Sequence, residues 1–164
     1  MIKYAVVSTR FGWLAVCASE AGLVYLTLPG PSRRVALSEI KEFAHDLVED
    51  ASAFSNLSHR LQRYFDGEKV NFPDKLDFGD ATPFQRTVWS LTRAIPYGET
   101  RSYAWVARQI GSPDASRAVG GALARNRFPI VVPCHRVVAS DGGLGGFSGG
   151  LLLKKRLLEL EAAR

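Results

Sequence analysis

Residues 100–125 read TRSYAWVARQIGSPDASRAVGGALAR, and this stretch decides the fold of the second half of the chain. Thr100 or Ser102 can cap a first helix. The letters GSPD then interrupt it, and Asp114, the last of the four, can cap a second helix over Ala115–Arg125. Two helices joined by a tight turn that contains glycine predict a helix-turn-helix.

The second of these helices has an unusual composition. Gly120 and Gly121 lie in its interior, where each glycine costs about 1 kcal/mol relative to alanine. Either a neighbouring helix packs tightly there, or a ligand approaches the backbone closely. A slim helix fits the minor groove of DNA better than the wide major groove, and Arg117 near its start can reach into the base stack. Its small residues are Ala115, Ser116, Ala118, Gly120, Gly121, Ala122 and Ala124.

The charge of the chain is divided unequally between its halves. Residues 1–80 carry 9 Lys and Arg against 11 Asp and Glu, a net charge of −2, and residues 81–164 carry 12 against 5, a net charge of +7. A basic half that follows an acidic half indicates that the second half meets a polyanion. An Arg-rich solvated surface would give the same composition.

The chain of 164 residues has the composition of a globular protein, with 46% hydrophobic and 23% charged residues. The longest stretches without a charged residue, 21–32 and 142–153, have only twelve residues each, which is too short to cross a bilayer. The beginning of the chain lacks the apolar core of a secretory signal. We therefore expect a soluble, cytoplasmic protein with no membrane partner.

The first half opens with three apolar segments, Ile2–Val7, Gly12–Ala18 and Leu23–Leu28, which are separated by short turn sequences. They predict three short antiparallel strands in a meander. Two helices are predicted after the strands, at about 35–49 and 53–65.

The letters GDATP predict a boundary between domains 1–80 and 81–164. Nothing in the first domain forms a catalytic constellation. His45 and His59 lie fourteen residues apart on separate predicted helices, and Cys17 is the only cysteine of that half. We therefore predict no zinc or other metal site there.

Cys134 lies in the sequence PCHRV, between the apolar runs IVV and VV. A lone cysteine is most often buried and inert. Here the neighbouring His135 and Arg136 can lower the pKa of the thiol, and the thiolate is the nucleophilic form. Six glycines from Gly142 to Gly150 allow a flat ligand to approach the backbone. The pattern therefore indicates a reactive cysteine.

A neutral His135 needs a group that fixes its tautomer, usually a carboxylate. Adjacent residues of an extended chain point to opposite faces, so His135 would act on Cys134 through a water unless the backbone turns there. A C-terminal helix is predicted at about 150–162. Glu161 falls within its apolar arc and Glu159 on its charged side, which makes Glu161 the better partner. The predicted buried stripe consists of Leu153, Leu157 and Leu160, widened by Leu158.

Together these blocks resemble the O6-alkylguanine-DNA alkyltransferase family, also called methylated-DNA–protein-cysteine methyltransferases. The resemblance is carried by PCHRV, preceded by Asn126 and followed by GGFSGG, and by IPYGETRSY and ASRAVGGAL. It covers residues 82–161 closely, and residues 1–80 only in size and strand order. It implies an α+β fold, with a small N-terminal three-stranded ribonuclease-H-like α/β domain and a C-terminal winged helix-turn-helix domain.

The activity implied by the resemblance is DNA repair by a monomer without a cofactor. An alkyl group is transferred once and irreversibly from guanine O6, or less well thymine O4, in double-stranded DNA to Cys134. Glu161, His135 and a water would form the relay that makes the thiolate, and Asn126 would support the turn. Tyr103 would donate a proton to guanine N3, because deprotonated guanine is a poor leaving group.

The resemblance also implies where the substrate lies. Backbone groups of Cys134 and Val137 would accept from the guanine amino group, and the region of Ser148 would donate to O6. Arg117 would fill the gap left by the flipped nucleotide. The other implied residues are Pro129, Gly145, Phe147 and Gly149 around the pocket, Ala115, Ser116 and Gly120 at the DNA, and Ser112 and Ser140 at phosphates.

Three other classes of protein share part of this pattern. A non-enzymatic lesion binder of the alkyltransferase-like type keeps the DNA-binding half but replaces the nucleophile, and the presence of Cys134 argues against it. A helix-turn-helix transcription regulator has a longer, bulkier recognition helix and no reactive centre. A cysteine hydrolase needs an oxyanion hole and access of water to an acyl intermediate, which the sequence does not exclude.

Overall fold

A computed structural model describes residues 1–162, in which the chain forms two compact units, Met1–Gly79 and the residues from Asp80 onward. No helix in this part of the chain is both long enough and apolar enough to cross a membrane. The described residues also contain no group of three or more His, Cys, Asp or Glu side chains placed to hold a metal ion.

The N-terminal unit is built on a sheet. Strands β1 (Ile2–Thr9), β2 (Gly12–Ser19) and β3 (Gly22–Leu26) form the predicted antiparallel meander. A further strand, β4 (Leu47–Glu49), pairs in parallel with β1, which gives the order β3-β2-β1-β4. The sheet therefore has four strands, and the prediction of three was one short.

Two helices accompany this sheet. α1 (Arg33–Phe43) begins after Ser32, whose side chain accepts from the backbone N–H of Val35. α2 (Ser55–Phe65) matches the second prediction. The prediction of a helix as far as residue 49 is wrong, because the chain turns at Asp46, whose φ of 55° is left-handed, and continues as β4.

Strand β2 is the centre of the N-terminal core, and side chains on both of its faces are buried. Ala15 and Cys17 pack in one cluster with Ala36 and Ile40 of α1. Successive side chains of a strand point to opposite faces, so Val16 and its neighbour Leu14 are buried on the other side of the sheet.

The second unit begins with α3 (Pro83–Arg93), which is held at its start by a capping box between Thr82 and Gln85. Its Trp89 is fully buried, and the indole N–H donates to the carbonyl of Ala122 at 2.9 Å. The ring of Phe128 meets this indole edge to face. The spacing of Phe84, Val88 and Leu91 on one stripe predicts a core-facing helix over Phe84–Ala94, and α3 confirms it.

The predicted helix pair is present as α4 (Tyr103–Gln109) and α5 (Ser116–Ala124). Ser102 caps α4 by accepting from the N–H of Trp105. The prediction that Asp114 caps the second helix is wrong. α5 has no side-chain cap, because Asp114 lies within a turn closed by a backbone hydrogen bond before the helix begins.

Two short strands, β5 (Arg101–Ser102) and β6 (Val137–Val138), pair in parallel. They bring the beginning of α4 beside the segment that follows Cys134. The C-terminal helix is α6 (Leu151–Ala162), close to its predicted limits.

The predicted buried stripe of α6 is only partly right. Of its four leucines, Leu157 alone is fully buried, and the others are half-buried. Lys154 and Glu161 occupy the same stripe and are buried with it. Because positions i, i+3 and i+7 share one face of a helix, these three residues lie in line.

Candidate active site

Cys134 lies in a turn and not in an extended segment. Residues Cys134–Arg136 form a single turn of 3₁₀ helix, which follows Pro133 with φ −78° and ψ 68°. The backbone N–H of Cys134 donates to the carbonyl of Val132 at 2.7 Å, so Pro133 is the centre of an inverse γ-turn. The backbone therefore turns at Cys134, and the opposite-face geometry of an extended chain does not apply.

Asn126 ties the chain together on the N-terminal side of this turn. Its Nδ2 donates to the carbonyl of Val132 at 2.9 Å, and its Oδ1 accepts from the N–H of Phe128 at 2.9 Å. Between these two contacts lies Ile130, which is buried and has a φ of 74°. A β-branched residue in this region is strained, so the surrounding contacts hold it there.

The carboxylate of Glu161 is buried and fully engaged. Its Oε2 lies 2.6 Å from Nε2 of His135. Arg136 donates to the same carboxylate through Nε at 2.8 Å and Nη2 at 3.1 Å, and the N–H of Gly98 donates to Oε1 at 3.2 Å. Burial alone would raise the pKa of Glu161, but the hydrogen bonds from His135 and Arg136 and the positive charge of Arg136 outweigh it and lower the pKa to about 2.

His135 is fully buried, and burial lowers its pKa. The hydrogen bond and charge of Glu161 act in the opposite direction but do not reverse the shift, and the charges of Arg136 and Lys154 add to it. The imidazole is therefore neutral. Because Nε2 faces an ionised carboxylate, it carries the hydrogen, and Nδ1 carries the lone pair.

Burial also raises the pKa of the Cys134 thiol. A hydrogen bond from Asn126 and the positive charge of Lys154 act against this shift. Arg136 was predicted to lower the pKa of this thiol, but its guanidinium is turned to Glu161. Cys17, buried in β2 with no such groups acting on it, has its pKa raised to about 12 by burial.

Lys154 is the site residue that sequence reasoning missed. It is fully buried, and its Nζ donates to the carbonyls of Val137 at 2.7 Å, Gly146 at 2.9 Å and Leu144. Burial lowers its pKa to about 8. Nothing in its run KKR singles it out, yet Lys154 lies seven residues before Glu161, and that spacing could have placed both on one side of α6.

Tyr103 joins α4 to the glycine-rich segment. Its hydroxyl donates to the carbonyl of Gly146 and accepts from the N–H of Gly146, both at 3.2 Å, and lies 3.3 Å from Nζ of Lys154. Gly145 has a φ of 73°, and a Cβ there would lie 2.6 Å from the Tyr103 ring. Glycine is therefore required at 145 for both conformation and space.

A cavity of about 510 Å³ opens beside Cys134. Its walls come from α4, from α5 and from the segment that precedes α6, so the helix pair and the reactive turn share one pocket. The lining residues are Tyr103, Ser116, Arg117, Gly120, Leu123, Ala124, Cys134, Gly146, Phe147 and Ser148.

Five of the twelve residues expected at the base or the DNA line this cavity, namely Ser148, Phe147, Arg117, Ser116 and Gly120, and the other seven do not. Val137 is fully buried, and its carbonyl accepts from Lys154. Pro129 is buried beside the Ile130 turn, and Gly145 lies behind Tyr103. Outside the lining, Gly149, Ser112 and Ser140 are exposed, and Ala115 immediately precedes α5.

The two glycines of α5 are not explained by packing within the described residues. A Cβ at Gly120 would meet nothing closer than the Tyr103 ring, at 3.9 Å, and one at Gly121 would meet nothing closer than Arg125, at 3.8 Å. Both are ordinary contact distances. Of the two interpretations of the slim helix, a tight internal crossing is therefore not what these positions serve.

Comparison with known proteins defines the class of the molecule. A ribonuclease-like domain of 6-O-methylguanine DNA methyltransferase matches residues 2–78, and the DNA-binding domain of the same family matches residues 83–163. The chain therefore belongs to the 6-O-methylguanine DNA methyltransferase family.

Individual relatives match between 70% and 98% of the chain. A methylated-DNA–protein-cysteine methyltransferase of Methanosarcina acetivorans is 39% identical over 160 residues, which are 98% of each chain. That of Mycobacterium bovis is 50% identical over 115 residues, which are 70% of this chain and 69% of its own.

Solved structures of such proteins are also similar to this chain over nearly its whole length. The O6-methylguanine methyltransferase of Mycobacterium tuberculosis, 39% identical, gives a TM-score of 0.82 and covers 100% of this chain and 94% of its own. The M. tuberculosis protein OGT in complex with DNA, also 39% identical, gives a TM-score of 0.83, with 98% and 93% covered.

Proposed function

We propose that the protein repairs DNA by transferring an alkyl group from O6 of guanine to its own Cys134, once per molecule. The observation that carries the proposal is the position of Cys134, which lines a cavity together with Arg117 and Gly120 of the predicted DNA-reading helix. A nucleotide that is turned out of the duplex would thus meet the nucleophile directly.

The chemistry needs a thiolate, and the geometry supplies a proton acceptor. Glu161 fixes the Nε2–H tautomer of His135, so that Nδ1 can accept the thiol proton, through a water, as the relay requires. The thiolate attacks the alkyl carbon, a C–S bond forms, and the C–O6 bond breaks with its electron pair leaving on guanine. Asn126 and Lys154 favour the thiolate.

The leaving guanine needs a proton, and Tyr103 lines the same cavity. Its hydroxyl would give its proton to N3, and the nearby ammonium of Lys154 lowers the cost of the phenolate that results. Ser148 and Phe147 stand at the same cavity, where they would contact the base. The remaining predicted residues do not line the cavity and would shape it through the residues that do; they are Val137, Pro129, Gly145 and Gly149.

The DNA would meet the N-terminal end of α5. Arg117 is exposed and reaches the cavity mouth, where it would fill the place of the flipped nucleotide. Ala115, Ser116 and Gly120 would face the minor groove, and the exposed Ser112 and Ser140 would contact phosphates. Because a free thiol nucleophile requires a reducing compartment, we place the reaction in the cytoplasm, carried out by a monomer.

The test is the intact mass of the protein after incubation with DNA that contains O6-methylguanine. One added methyl per chain is expected, on the peptide that contains Cys134, and none in Cys134→Ser. The thioether has no route back to thiolate, so turnover should stop after one event. Repeated turnover would refute the proposal and favour a hydrolase, and binding without mass gain would favour a lesion binder.

A further inference from the structure

Arg136 is held by several contacts around Glu161. Its side chain is buried, and it donates two hydrogen bonds to the carboxylate, from Nε at 2.8 Å and Nη2 at 3.1 Å. Its third nitrogen, Nη1, donates to the carbonyl of Ile95 at 2.7 Å, and its guanidinium carbon lies 5.6 Å from the centre of the Tyr97 ring. The guanidinium is therefore fixed in place and cannot turn to Cys134.

Glu161 is thus shared between a permanent cation and a titratable one. Oε2 lies 2.6 Å from His135 Nε2 and also accepts from Arg136. A buried carboxylate whose only partner is a histidine favours the imidazolium, because an opposite charge at contact distance stabilises the charged form. A guanidinium on the same carboxylate offsets this stabilisation of the imidazolium, because the guanidinium cannot lose its proton and stays positively charged.

We propose that Arg136 is a positioning residue which, by its paired hydrogen bonds to Glu161, keeps His135 neutral in the resting protein and so sets the pH range in which His135 can take the proton of Cys134. The inference rests on the proposed function, since it assigns a role within the same relay. Arg136 touches neither the thiol nor the substrate pocket, and it acts through Glu161 and through its own positive charge.

The charged and titratable groups around His135 come from two elements. Glu161 and Lys154 face it from α6, and Arg136 and Cys134 belong to its own turn. Glu161 favours the imidazolium, and the two cations oppose it. Loss of Arg136 would act twice, because it removes one cation and also frees the Glu161 charge to act on His135 alone.

The consequence for the reaction concerns the resting state. Cys134 can pass its proton to His135 only if the imidazole has a lone pair at Nδ1. If His135 were protonated beforehand, thiol and imidazolium would both hold protons, and His135 could not accept the proton of Cys134. Arg136 thereby extends toward acid the pH range in which His135 can act as the proton acceptor.

The test is the rate at which iodoacetamide modifies Cys134, followed by peptide mass from about pH 5 to about pH 10, because this rate follows the thiolate. In Arg136→Gln the midpoint of the acid limb of the profile, at which His135 titrates, should move to higher pH by about one unit. Arg136→Lys keeps the positive charge but not the paired nitrogen donors of the guanidinium. The midpoint of its acid limb should lie between those of Arg136→Gln and the wild type.

The matched control is Arg108→Gln, which removes an exposed arginine of α4 and should leave the limb in place. A uniform loss of rate at every pH, with the limb of Arg136→Gln unmoved, would mean a purely structural role and would overturn the inference. If Arg136→Gln does not fold, an NMR titration of His135 in Arg136→Lys decides. Proton uptake at higher pH than in wild type supports the inference, and unchanged uptake overturns it.

The assay contains no DNA, so the two proposals can fail separately. A protein that never accepts a methyl group from DNA would refute the proposed function, whatever its profile with iodoacetamide. Normal methyl transfer by the wild type, together with an unmoved acid limb in Arg136→Gln, would refute only the role of Arg136.

Discussion

Asn126 holds the carbonyl of Val132 through its side-chain amide, at 2.9 Å, and that same carbonyl accepts the backbone N–H of Cys134 at 2.7 Å. One oxygen therefore links the end of α5 to the reactive turn. The same side chain also hydrogen-bonds the Cys134 thiol and favours its ionisation. Asn126 acts on both the position and the charge of the nucleophile.

Asn126→Asp separates these roles from simple loss of the side chain. The carboxylate can still accept from Phe128, but it cannot donate to Val132, and it adds negative charge beside the thiol. We expect the pKa of Cys134 to rise, so that its reaction with iodoacetamide at neutral pH falls by about tenfold or more. Asn56→Asp, an exposed change on α2, should leave the rate as in wild type. Equal rates for both variants would contradict the assignment.

Gly120→Ala should stabilise the protein and impair it at the same time. Alanine gains about 1 kcal/mol in a helix interior, and the nearest protein atom to its Cβ would lie 3.9 Å away. The added methyl group would stand at the face of α5 that we assign to the minor groove. The expected result is a higher melting temperature with weaker binding to duplex DNA. Unchanged DNA affinity in the stabilised variant would show that this face does not meet DNA.

Arg117→Ala should slow capture of the lesion in duplex DNA while leaving Cys134 itself reactive. Unstacking a base costs a few kcal/mol, and a side chain that fills the gap offsets part of that cost. Transfer from duplex DNA is therefore expected to fall several-fold, with unchanged iodoacetamide reactivity. Arg108→Ala removes an exposed arginine from α4 and controls for charge. Comparable rates of transfer by the two variants would refute the proposal that Arg117 fills the place of the flipped nucleotide.

Lys154→Met should loosen the segment before α6. The methionine has similar length but removes the ammonium that donates to the carbonyls of Val137, Leu144 and Gly146. The carbonyl of Gly146 keeps the Tyr103 hydroxyl as a donor, and each buried group left unsatisfied costs about 1–3 kcal/mol. We expect lower stability, faster amide exchange at Gly146 and slower alkyl transfer. Lys155→Met, an exposed neighbour, is the control. Similar exchange in the two variants would show that Lys154 does not hold this segment.

Glu161→Gln should change the acid sensitivity of the fold. The folded pKa of Glu161 is lowered from 4.5 to about 2, so its stabilising contribution is complete above about pH 4.5 and is lost as pH falls through about 2. The shift corresponds to a contribution on the order of 3 kcal/mol. Urea unfolding at several pH values should show this loss in wild type and not in the variant. Parallel curves would contradict it.

The order of elements was accessible from the sequence because apolar periodicity and cap residues are local signals. The meander, α2, α3 and the limits of α6 follow from such signals. Strand β4 could not be predicted in this way, because its three residues are extended through pairing with β1 and show no apolar periodicity of their own. The α5 cap failed for a similar reason, since a turn that ends one residue later moves Asp114 out of the cap position.

The residues of the candidate site could be predicted from the sequence where their chemistry follows from their immediate neighbours. Cys134, His135 and their carboxylate partner Glu161 were identified correctly as neighbours, with 2.6 Å between His135 and Glu161. Lys154 was missed because no local pattern singles it out, and the true partner of Arg136 was missed because its charge was assigned to the thiol. Which buried cation serves which buried oxygen depends on tertiary contacts that no local pattern encodes.

The burial of Cys17 in β2 gives the N-terminal unit a built-in reporter of unfolding. Each unit contains one cysteine, and the pKa of Cys17, about 12, makes its thiol inert while β2 is folded. Under native conditions a thiol reagent can modify Cys17 only when the N-terminal unit opens, whereas Cys134 is open to its cavity. With Cys134 already blocked, the slow labelling of Cys17 would measure the opening free energy of its own unit, without any added probe.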